Sequence, residues 1–512
     1  MNVPCERTVQ ARPPKWRSPA AIVAFGYLLL LSGWLVTNPP GAAPDEQAQY
    51  LRAAGLSQGQ FLGQPALLPR APGETLVQWD FQEAMARSFE LPARLAPPNL
   101  AGCYAFHPDT SAACIKQLPI EPAGRYVSYV SLYPPTLYLL PALFMTVAPN
   151  PTAALLLGRL GIALIAAALL GLMFRLSWTG AAASLIGPAL ALTPMVIFLC
   201  SNLTDSALEV AGAACFAAAL WRLHREGDHV SRLSAAGLAA GGLFLGGTRP
   251  TGPLWVVFAL VLFVLATGPP ITRLVRNPAR SRLAWAAGVV AGASIFSVAW
   301  SIAVRAQALA KPQDLGHSAL LALQQLGQFG QQVVGVFGWL DTYLPAWSYY
   351  LWGGAIVGAI ALALMVGNSR TRVTLTLSVV GVTAASVALA AVLLSSSGFS
   401  GQGRYFLPGV VAVPLLAGAM IAERSNPRSR WTAGLAVAVG IVIPLLQLLA
   451  WGENARRYAV GRAGPLTFFF HGAQWSPYGG WLLWATVVGV GSACIAFGML
   501  SGVSRDFRGS WA

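Results

Sequence analysis

Two adjacent carboxylates, Asp45 and Glu46, follow closely on an apolar run that covers residues 20–36. They begin a segment, 46–56, that is expected to form a short helix, and an acid at a helix N-terminus can cap that helix and favour its dipole. Capping explains one acid better than two. The alternatives are a general base that takes a proton from an acceptor hydroxyl, or hard oxygen ligands for a divalent cation such as Mg²⁺ or Mn²⁺. We predict Asp45 and Glu46 as catalytic residues and leave their role as metal ligands open.

Further charged residues stand where other apolar segments meet their loops, namely Asp205, Glu209, Arg249, Asp341 and Arg404. Charged groups at membrane depth are costly, so each is a candidate functional residue, although capping or snorkelling explains any one of them equally well. What favours function is that all of them fall on the side of the membrane assigned to Asp45. Arginine binds phosphate through a planar fork, so an anionic headgroup would suit this set.

The composition excludes an ordinary soluble protein. Of the 512 residues, 55% are hydrophobic and only 10% are charged, whereas soluble domains carry about 25% charged residues. The net charge of +15 comes from basic residues in short gaps between apolar segments, which is the pattern of the positive-inside rule and not of a nucleic-acid-binding face. We therefore expect an all-α transmembrane helix bundle of about 12–13 spans.

The basic loops assign a direction to each apolar segment. We expect a cytoplasmic N-terminus, and we interpret the first segment as an uncleaved span and not a signal peptide. Residues 38–132, 305–346, 395–405 and 451–479 are then extracytoplasmic, as are the turns at 200–204 and 248–252. One segment conflicts with this alternation, because 133–148 would begin and end on the outer side. A re-entrant or interfacial helix would resolve the conflict, and so would a misplaced boundary in the next two spans.

The chain is expected to have five parts: a cytoplasmic tail (1–18), a first span (19–37), an extracytoplasmic loop with the candidate acids (38–132), a transmembrane core (133–422), and C-terminal helices with a short tail (423–512).

The long loop contains Cys103 and Cys114. Because that compartment is oxidising, we expect them to form a disulfide, the alternative being two unpaired thiols.

Four motifs occur in a fixed order along the chain. They are Pro39-Pro40…Pro44-Asp45-Glu46…Tyr50-Leu51-Arg52-Ala53, Tyr133-Pro134-Pro135…Tyr138, Gly338-Trp339-Leu340-Asp341 and Gly403-Arg404-Tyr405-Phe406-Leu407-Pro408. This ordered set resembles the signature of a bacterial family of uncharacterised polytopic membrane proteins that is grouped with the GT-C glycosyltransferases. The resemblance extends from about residue 38 to residue 410, and the last 100 residues carry no matching motif.

The resemblance implies a GT-C fold with a helical first outer loop and a sugar donor linked to polyprenyl phosphate. Such enzymes place an acid of that loop at the reaction centre, which corresponds here to Asp45 with Glu46 beside it. Related transferases carry a lysine before the Pro-Pro pair, where Tyr133 stands in this chain, so Arg249 and Arg404 would replace its contact with the lipid phosphate. The substrate-binding residues implied in total are Arg52, Tyr133, Asp205, Arg249, Asp341, Arg404 and Tyr405.

The resulting expectation is a plasma-membrane glycosyltransferase that moves a hexose or pentose from a polyprenyl-phosphate donor to a glycan or glycolipid acceptor of the cell envelope. The alternatives are an envelope polysaccharide polymerase or ligase, which would use the same broad chemistry, and a transporter or flippase for lipids or sugars. Against a transporter, the sequence has no evident internal repeat, and its acids gather in one outer loop instead of at mid-membrane.

Overall fold

The computed structural model describes residues 18–71, 73–98, 102–118, 121–227, 230–267, 280–304 and 314–508. Within these ranges the chain forms a bundle of helices with one three-stranded sheet and one short hairpin, which confirms the predicted all-α transmembrane architecture. The cytoplasmic tail predicted for 1–18 lies outside the described residues except for Ser18, which caps the first helix.

Nine helices in the described ranges are long and apolar enough to cross a membrane, the seventh being formed by two consecutive short helices. They are α1 (Pro19–Thr37), α5 (Pro151–Ser177), α8 (Ser206–Glu226), α11 (Arg280–Ala303), α14 (Ala346–Val366), α15 (Ser369–Ser397), α16 with α17 (Leu407–Val410 and Ala412–Arg424), α18 (Arg430–Val460) and α19 (Gly480–Arg508). Two helices of 16 residues, α9 (Arg232–Gly247) and α10 (Gly252–Thr267), pack among them.

A tenth crossing is broken in the middle. The segment Ala182–Ala191, which ends in α6 (Ile186–Ala191), meets α7 (Pro194–Cys200) at an angle of 67°. Pro194 begins α7, and the hydroxyl of Thr193 caps it, so the backbone ends one helix and starts another at this point. The broken segment still crosses the bundle. Its first residue, Ala182, donates to Asp506 at the end of α19, and Ser201 just beyond α7 donates to Leu31 of α1.

The two ends of the bundle differ in character. One end, which we call the basic end, contains Arg175, Arg222 and Arg225, and Arg225 donates to the carbonyls of Leu176 and Ser177. The other, which we call the loop end, contains the long segments after α1, before α14, after α15 and after α18. All of the charged residues predicted to be functional lie at the loop end.

The segment 133–148 does not cross the bundle. It contains only a 3₁₀ turn and the seven-residue α4 (Leu139–Met145). Thr136 donates to the carbonyl of Gly247 at the loop end of α9, and Arg94 donates to the carbonyls of Thr146 and Ala148 at 3.2 Å. Both ends of the segment are therefore at the loop end, which is the interfacial alternative, and the remaining segments alternate without conflict.

The loop after α1 is a small folded layer on the bundle. It contains α2 (Glu46–Ser57), α3 (Leu76–Met85) and an antiparallel sheet in the order β1 (Gln64–Pro65), β2 (Arg87–Leu91), β3 (Gly124–Ser128). A disulfide joins Cys103 to Cys114.

A second segment at the loop end precedes α14. It contains α12 (Leu315–Gln324), α13 (Leu326–Gly335) and the hairpin of β4 (Val336–Phe337) and β5 (Thr342–Tyr343).

Close contact between α8 and α9 positions the charges that these helices carry at the loop end. A Cβ built on Gly241 would lie 2.5 Å from the backbone nitrogen of Phe216, and one on Gly212 would lie 2.7 Å from that of Leu245. Small residues at such crossings allow helix backbones to touch in a bilayer. This contact brings Glu209 near the start of α8 next to Arg249 just after α9.

We predict that Gly241→Ala separates α8 from α9 and destabilises the protein by about 1–3 kcal/mol, the usual cost of overpacking a tight contact. Thermal unfolding of the detergent-purified protein measures the effect. Gly292→Ala is the matched control, because a Cβ there meets no described atom within 4 Å. Equal melting temperatures for the two variants would contradict the assigned packing.

Candidate active site

Asp45 is held at the start of α2 by two side chains from other parts of the chain. Its Oδ2 lies 2.5 Å from Nη2 of Arg404, and its Oδ1 accepts a hydrogen bond of 2.9 Å from the hydroxyl of Tyr129. Its backbone is left-handed, with φ of 64°, and its side chain caps no helical N–H group. Capping, the simplest explanation from sequence, therefore does not account for Asp45.

Tyr129 is a donor to Asp45 and not a competing base. Burial, followed by the nearby Asp45 carboxylate, raises the pKa of Tyr129 well above its ordinary value. The hydroxyl consequently stays protonated and donates to Asp45 throughout the ordinary pH range. The Tyr129–Asp45 contact fixes one carboxylate oxygen and leaves the side chain of Asp45 26% exposed.

Two guanidinium groups flank the ring of Tyr405. Arg404 lies 5.1 Å from the ring centre and Arg249 lies 4.9 Å from it, distances typical of cation–π contacts. Arg404 sits in a 3₁₀ turn, Gly403–Tyr405, that is anchored by a 2.6 Å hydrogen bond from the Gly403 amide to Gln332 of α13. The ring of Tyr405 therefore contacts both of the arginines that were predicted to bind phosphate.

Arg249 pairs with both acids of the α8 region. Its Nε lies 3.2 Å from Asp205, and its Nη1 lies 3.3 Å from Glu209, which also accepts a 2.9 Å hydrogen bond from Thr251. Glu209 is completely buried. A continuous chain of charged side chains thus runs from Glu209 and Asp205 to Arg249 and, across the ring of Tyr405, to Arg404 and Asp45.

A cavity of about 550 Å³ opens beside this chain of charges. Asp45, Tyr129, Tyr133, Arg249 and Tyr405 line its polar part. Leu389 and Leu393 of α15, with Phe81 and Met85 of α3, line its apolar part. The cavity therefore combines a charged wall with a hydrophobic wall that belongs to a membrane-spanning helix. The predicted residues Asp45, Tyr133, Arg249 and Tyr405 all border it. Asp205 and Arg404 do not line the cavity, but they contact Arg249 and Tyr405, respectively.

Glu46 faces away from this cavity. It is completely buried, and Arg159 of α5 binds both of its oxygens at 2.7 and 2.6 Å. The amides of Gly41 and Leu203 donate to the same oxygens at 3.0 and 3.1 Å. This corrects the prediction of a catalytic or metal-binding Glu46, because its carboxylate is fully occupied in joining the first loop to α5.

Arg52 also lies away from the cavity, so the geometry does not support its predicted contact with substrate. Its guanidinium donates to the carbonyl of Phe61 and packs 5.6 Å from the ring centre of Tyr138. Burial lowers the pKa of Arg52. Arg52 packs α2 against the aromatic side chains around it.

Asp341 does not line the cavity, so the geometry does not support its predicted contact with substrate. It pairs with Arg457 of α18 at 2.9 Å and accepts a hydrogen bond from Thr342 at 2.9 Å. This fixes the β4–β5 turn, whose Trp339 and Leu340 line the cavity. Arg457 also donates to the carbonyls of Thr110 and Tyr104 at 2.7 Å, so it connects the turn to the disulfide-bonded loop.

The sequence of this chain matches the family described as "Predicted membrane protein (DUF2142)" over residues 28–413. The chain belongs to this family. That confirms the resemblance to a family of uncharacterised polytopic membrane proteins, and the match ends close to the last motif that carried the resemblance.

No curated protein matches this DUF2142 chain in sequence. Two crystal structures of ArnT from Cupriavidus metallidurans, one bound to undecaprenyl phosphate and one in the apo state, align with it at TM-scores of 0.44 and 0.43. Each is 13% identical and covers 95% of this chain, with 77% and 76% of the respective ArnT chains aligned.

Several residues that build the site of this DUF2142 protein were not predicted. Tyr129, Arg159, Thr251 and Arg457 carry no local signal, because their partners are far away in sequence. Arg159 and Arg457 are exceptions in one respect: Arg159 is a single arginine inside an apolar segment, and Arg457 stands with Arg456 at the end of one. A charge in such a position requires a partner, and that expectation alone could have singled them out.

The donor set around Asp45 does not fit a metal ion. Its two carboxylate oxygens accept from Tyr129 and Arg404, and Glu46 is directed at Arg159. In the part of the chain that the structure describes, no group of three or more His, Cys, Asp or Glu side chains is arranged to hold a metal. The metal-binding alternative for Asp45 and Glu46 thus finds no support in their geometry.

We predict that Glu46→Gln destabilises the DUF2142 fold by about 3–5 kcal/mol, because removing one charge of a buried pair leaves the Arg159 guanidinium uncompensated. Glu90→Gln is the matched control. Its pair with Arg125 has side chains that are 74% and 63% exposed, and exposed pairs contribute about 0–1 kcal/mol. Thermal unfolding in detergent compares the two, and similar losses in both would contradict the structural role of Glu46.

Proposed function

We propose that this protein is a membrane glycosyltransferase of the GT-C type that transfers a sugar from a polyprenyl-phosphate donor to an extracytoplasmic acceptor in cell-envelope glycan or glycolipid synthesis. The observation that carries the proposal is the cavity in which Asp45, Arg249 and Tyr405 meet the apolar wall of α15, with Arg404 paired to Asp45 beside it. A lipid-linked sugar needs such a combination, because its chain is apolar, its phosphate is anionic and its sugar is polar.

The active face is proposed to be extracytoplasmic. The arginines at the basic end support a cytoplasmic position for that end by the positive-inside rule, and the alternation of the helices supports a cytoplasmic N-terminus. The cavity is then on the outer side of the plasma membrane, with its apolar wall at the depth of the outer leaflet. A disulfide in the layer above the cavity suits the same oxidising compartment.

In the proposed reaction, the acceptor hydroxyl attacks the anomeric carbon of the donor sugar. The new bond joins that carbon to the acceptor oxygen, and the bond between the carbon and the phosphate oxygen breaks. Asp45 takes the proton from the acceptor hydroxyl, and the phosphate leaves with its negative charge stabilised by Arg404 and Arg249. A single displacement of this kind inverts the anomeric centre.

The charges around the cavity determine how the donor phosphate would bind. Three carboxylates (Asp45, Asp205 and Glu209) face two guanidinium groups, so no arginine offers an unshared charge. Arg404 retains one free donor, because its Nε has no hydrogen-bond partner among the described residues. We propose that the phosphate shares Arg404 with Asp45, which weakens the Arg404–Asp45 pair when the donor is bound.

A transporter is less consistent with this geometry. The described residues that line the cavity all lie at the loop end, whereas alternating access places the substrate site near the middle of the bilayer. An envelope polymerase or ligase would differ from the proposed enzyme only in its acceptor, and the cavity does not favour it over a simple transferase.

We expect cells that carry the Asp45→Asn protein to have the same envelope glycans and glycolipids as a deletion strain, because an amide cannot accept the acceptor's proton. Mass spectrometry of envelope glycans and lipids measures this. The control is Asp80→Asn, a change of the same type at an exposed position of α3. A wild-type profile from the Asp45→Asn protein at normal abundance would reject Asp45 as the base.

We expect purified protein to bind undecaprenyl phosphate, used as a sugar-free probe, and Arg404→Gln to weaken that binding about tenfold or more, since a charge-assisted hydrogen bond contributes about 1.5–3 kcal/mol. Native mass spectrometry in detergent follows the bound lipid. Arg125→Gln, at an exposed position away from the cavity, is the control. Equal binding by the Arg404→Gln and Arg125→Gln variants would contradict phosphate binding at this cavity.

A further inference from the structure

A second recess, which we call the lateral groove, lies at the loop end between the end of α1, the start of α5 and residues 475–478. It has a volume of about 350 Å³ and is lined by residues that include Val36, Asn38, Lys116, Thr152, Leu156 and Trp475. Of the described residues, none lines both the lateral groove and the Asp45 cavity. Arg159 lines the lateral groove and pairs with Glu46, the neighbour of Asp45 in the chain.

The polar part of the lateral groove favours a negative charge. Lys116 is exposed at its rim, and the charge of Arg159 is matched by Glu46. None of the described lining residues is acidic. Thr152 belongs to the first turn of α5, a helix of 27 residues whose N-terminal dipole is positive. Asn38 is 2% exposed, and its amide nitrogen has no hydrogen-bond partner in the described part of the chain.

The apolar part of the lateral groove continues along the bundle toward the basic end. Leu156 lines the groove, and Leu160 and Leu164 follow it at intervals of four residues on the same face of α5, with exposed fractions of 37% and 46%. Phe25 and Leu28 of α1 are exposed by 51% and 41%. These side chains lie in membrane-spanning helices, so their exposed surface faces lipid.

We propose that the lateral groove is a binding site for a membrane lipid with an anionic phosphate headgroup, separate from the Asp45 cavity. The headgroup lies among Lys116, Asn38 and the N-terminus of α5, between the walls formed by Trp475 and Leu156. The acyl chain lies along the exposed leucines of α5. A free phosphate ion would lack the apolar contact, and a zwitterionic lipid would place its own cation beside Lys116.

The test is lipid retention by the purified full chain, measured by native mass spectrometry with phosphatidylglycerol and phosphatidylcholine of identical acyl chains. We expect preferential retention of phosphatidylglycerol. Lys116→Gln should lower its retention about fivefold, since one basic residue near an anionic lipid contributes about 1 kcal/mol. Tyr478→Ala, which removes a 67% exposed side chain from the groove wall, should lower it as well. Both positions are exposed, so folding should be retained.

Arg125→Gln is the matched control, since it removes a charge of the same sign from the exposed loop surface outside the lateral groove. It should leave retention unchanged, and excess inorganic phosphate should not displace the lipid. The proposal would be overturned if the two lipids were retained equally, or if phosphate alone displaced the lipid. It would also be overturned if Lys116→Gln left the retention of phosphatidylglycerol unchanged, or if Arg125→Gln lowered that retention as much as Lys116→Gln does. No sugar transfer is scored, so the result is independent of the proposed enzymatic function.

Discussion

The buried ion pair between Arg159 and Glu46 is the interaction on which the loop end of this protein depends. Arg159 sits inside a transmembrane helix, where an unpaired charge would be very costly. Its guanidinium also donates to the carbonyls of Leu35, Asn38 and Pro39, the residues where α1 ends and the first loop begins. One side chain therefore fixes the exit of α1, the start of α2 and, through Glu46, the position of Asp45 next to it.

The same principle recurs around the cavity. Arg249, Arg404 and Arg457 are each almost fully buried, and each pairs with an acid from a distant part of the chain. Together with Arg159 they join the first loop, α8, the β4–β5 turn and α18 into one layer. Such pairs contribute little net stability against an apolar alternative, but they select a single arrangement, since any other would leave a buried charge without its partner.

Features that depend on neighbouring residues in the chain could be predicted from the sequence. Apolar length and arginine placement predicted the helices and their alternation between the two ends of the bundle. The motifs singled out Tyr133, Arg404 and Tyr405, and the charges at the ends of apolar segments singled out Arg249. The fold brings Tyr133, Arg249 and Tyr405 to the wall of one cavity, with Arg404 in contact with Tyr405. Pairings between distant residues could not be predicted. Nothing near Glu46 indicates that Arg159, 113 positions later, occupies its carboxylate, and nothing near Asp341 indicates Arg457. The β-strands of the first loop were also missed, because each has only two to five residues.

The left-handed backbone at Asp45 restricts which amino acids this position can accept. At φ of 64°, glycine, asparagine and aspartate are tolerated, because a short polar side chain or none avoids most of the steric conflict with the backbone. Of these three, only aspartate carries a charge. Glutamate, the other acidic amino acid, would combine backbone strain with a side chain one methylene longer between Tyr129 and Arg404. The turn that begins α2 thus favours aspartate over glutamate as the acid at this position.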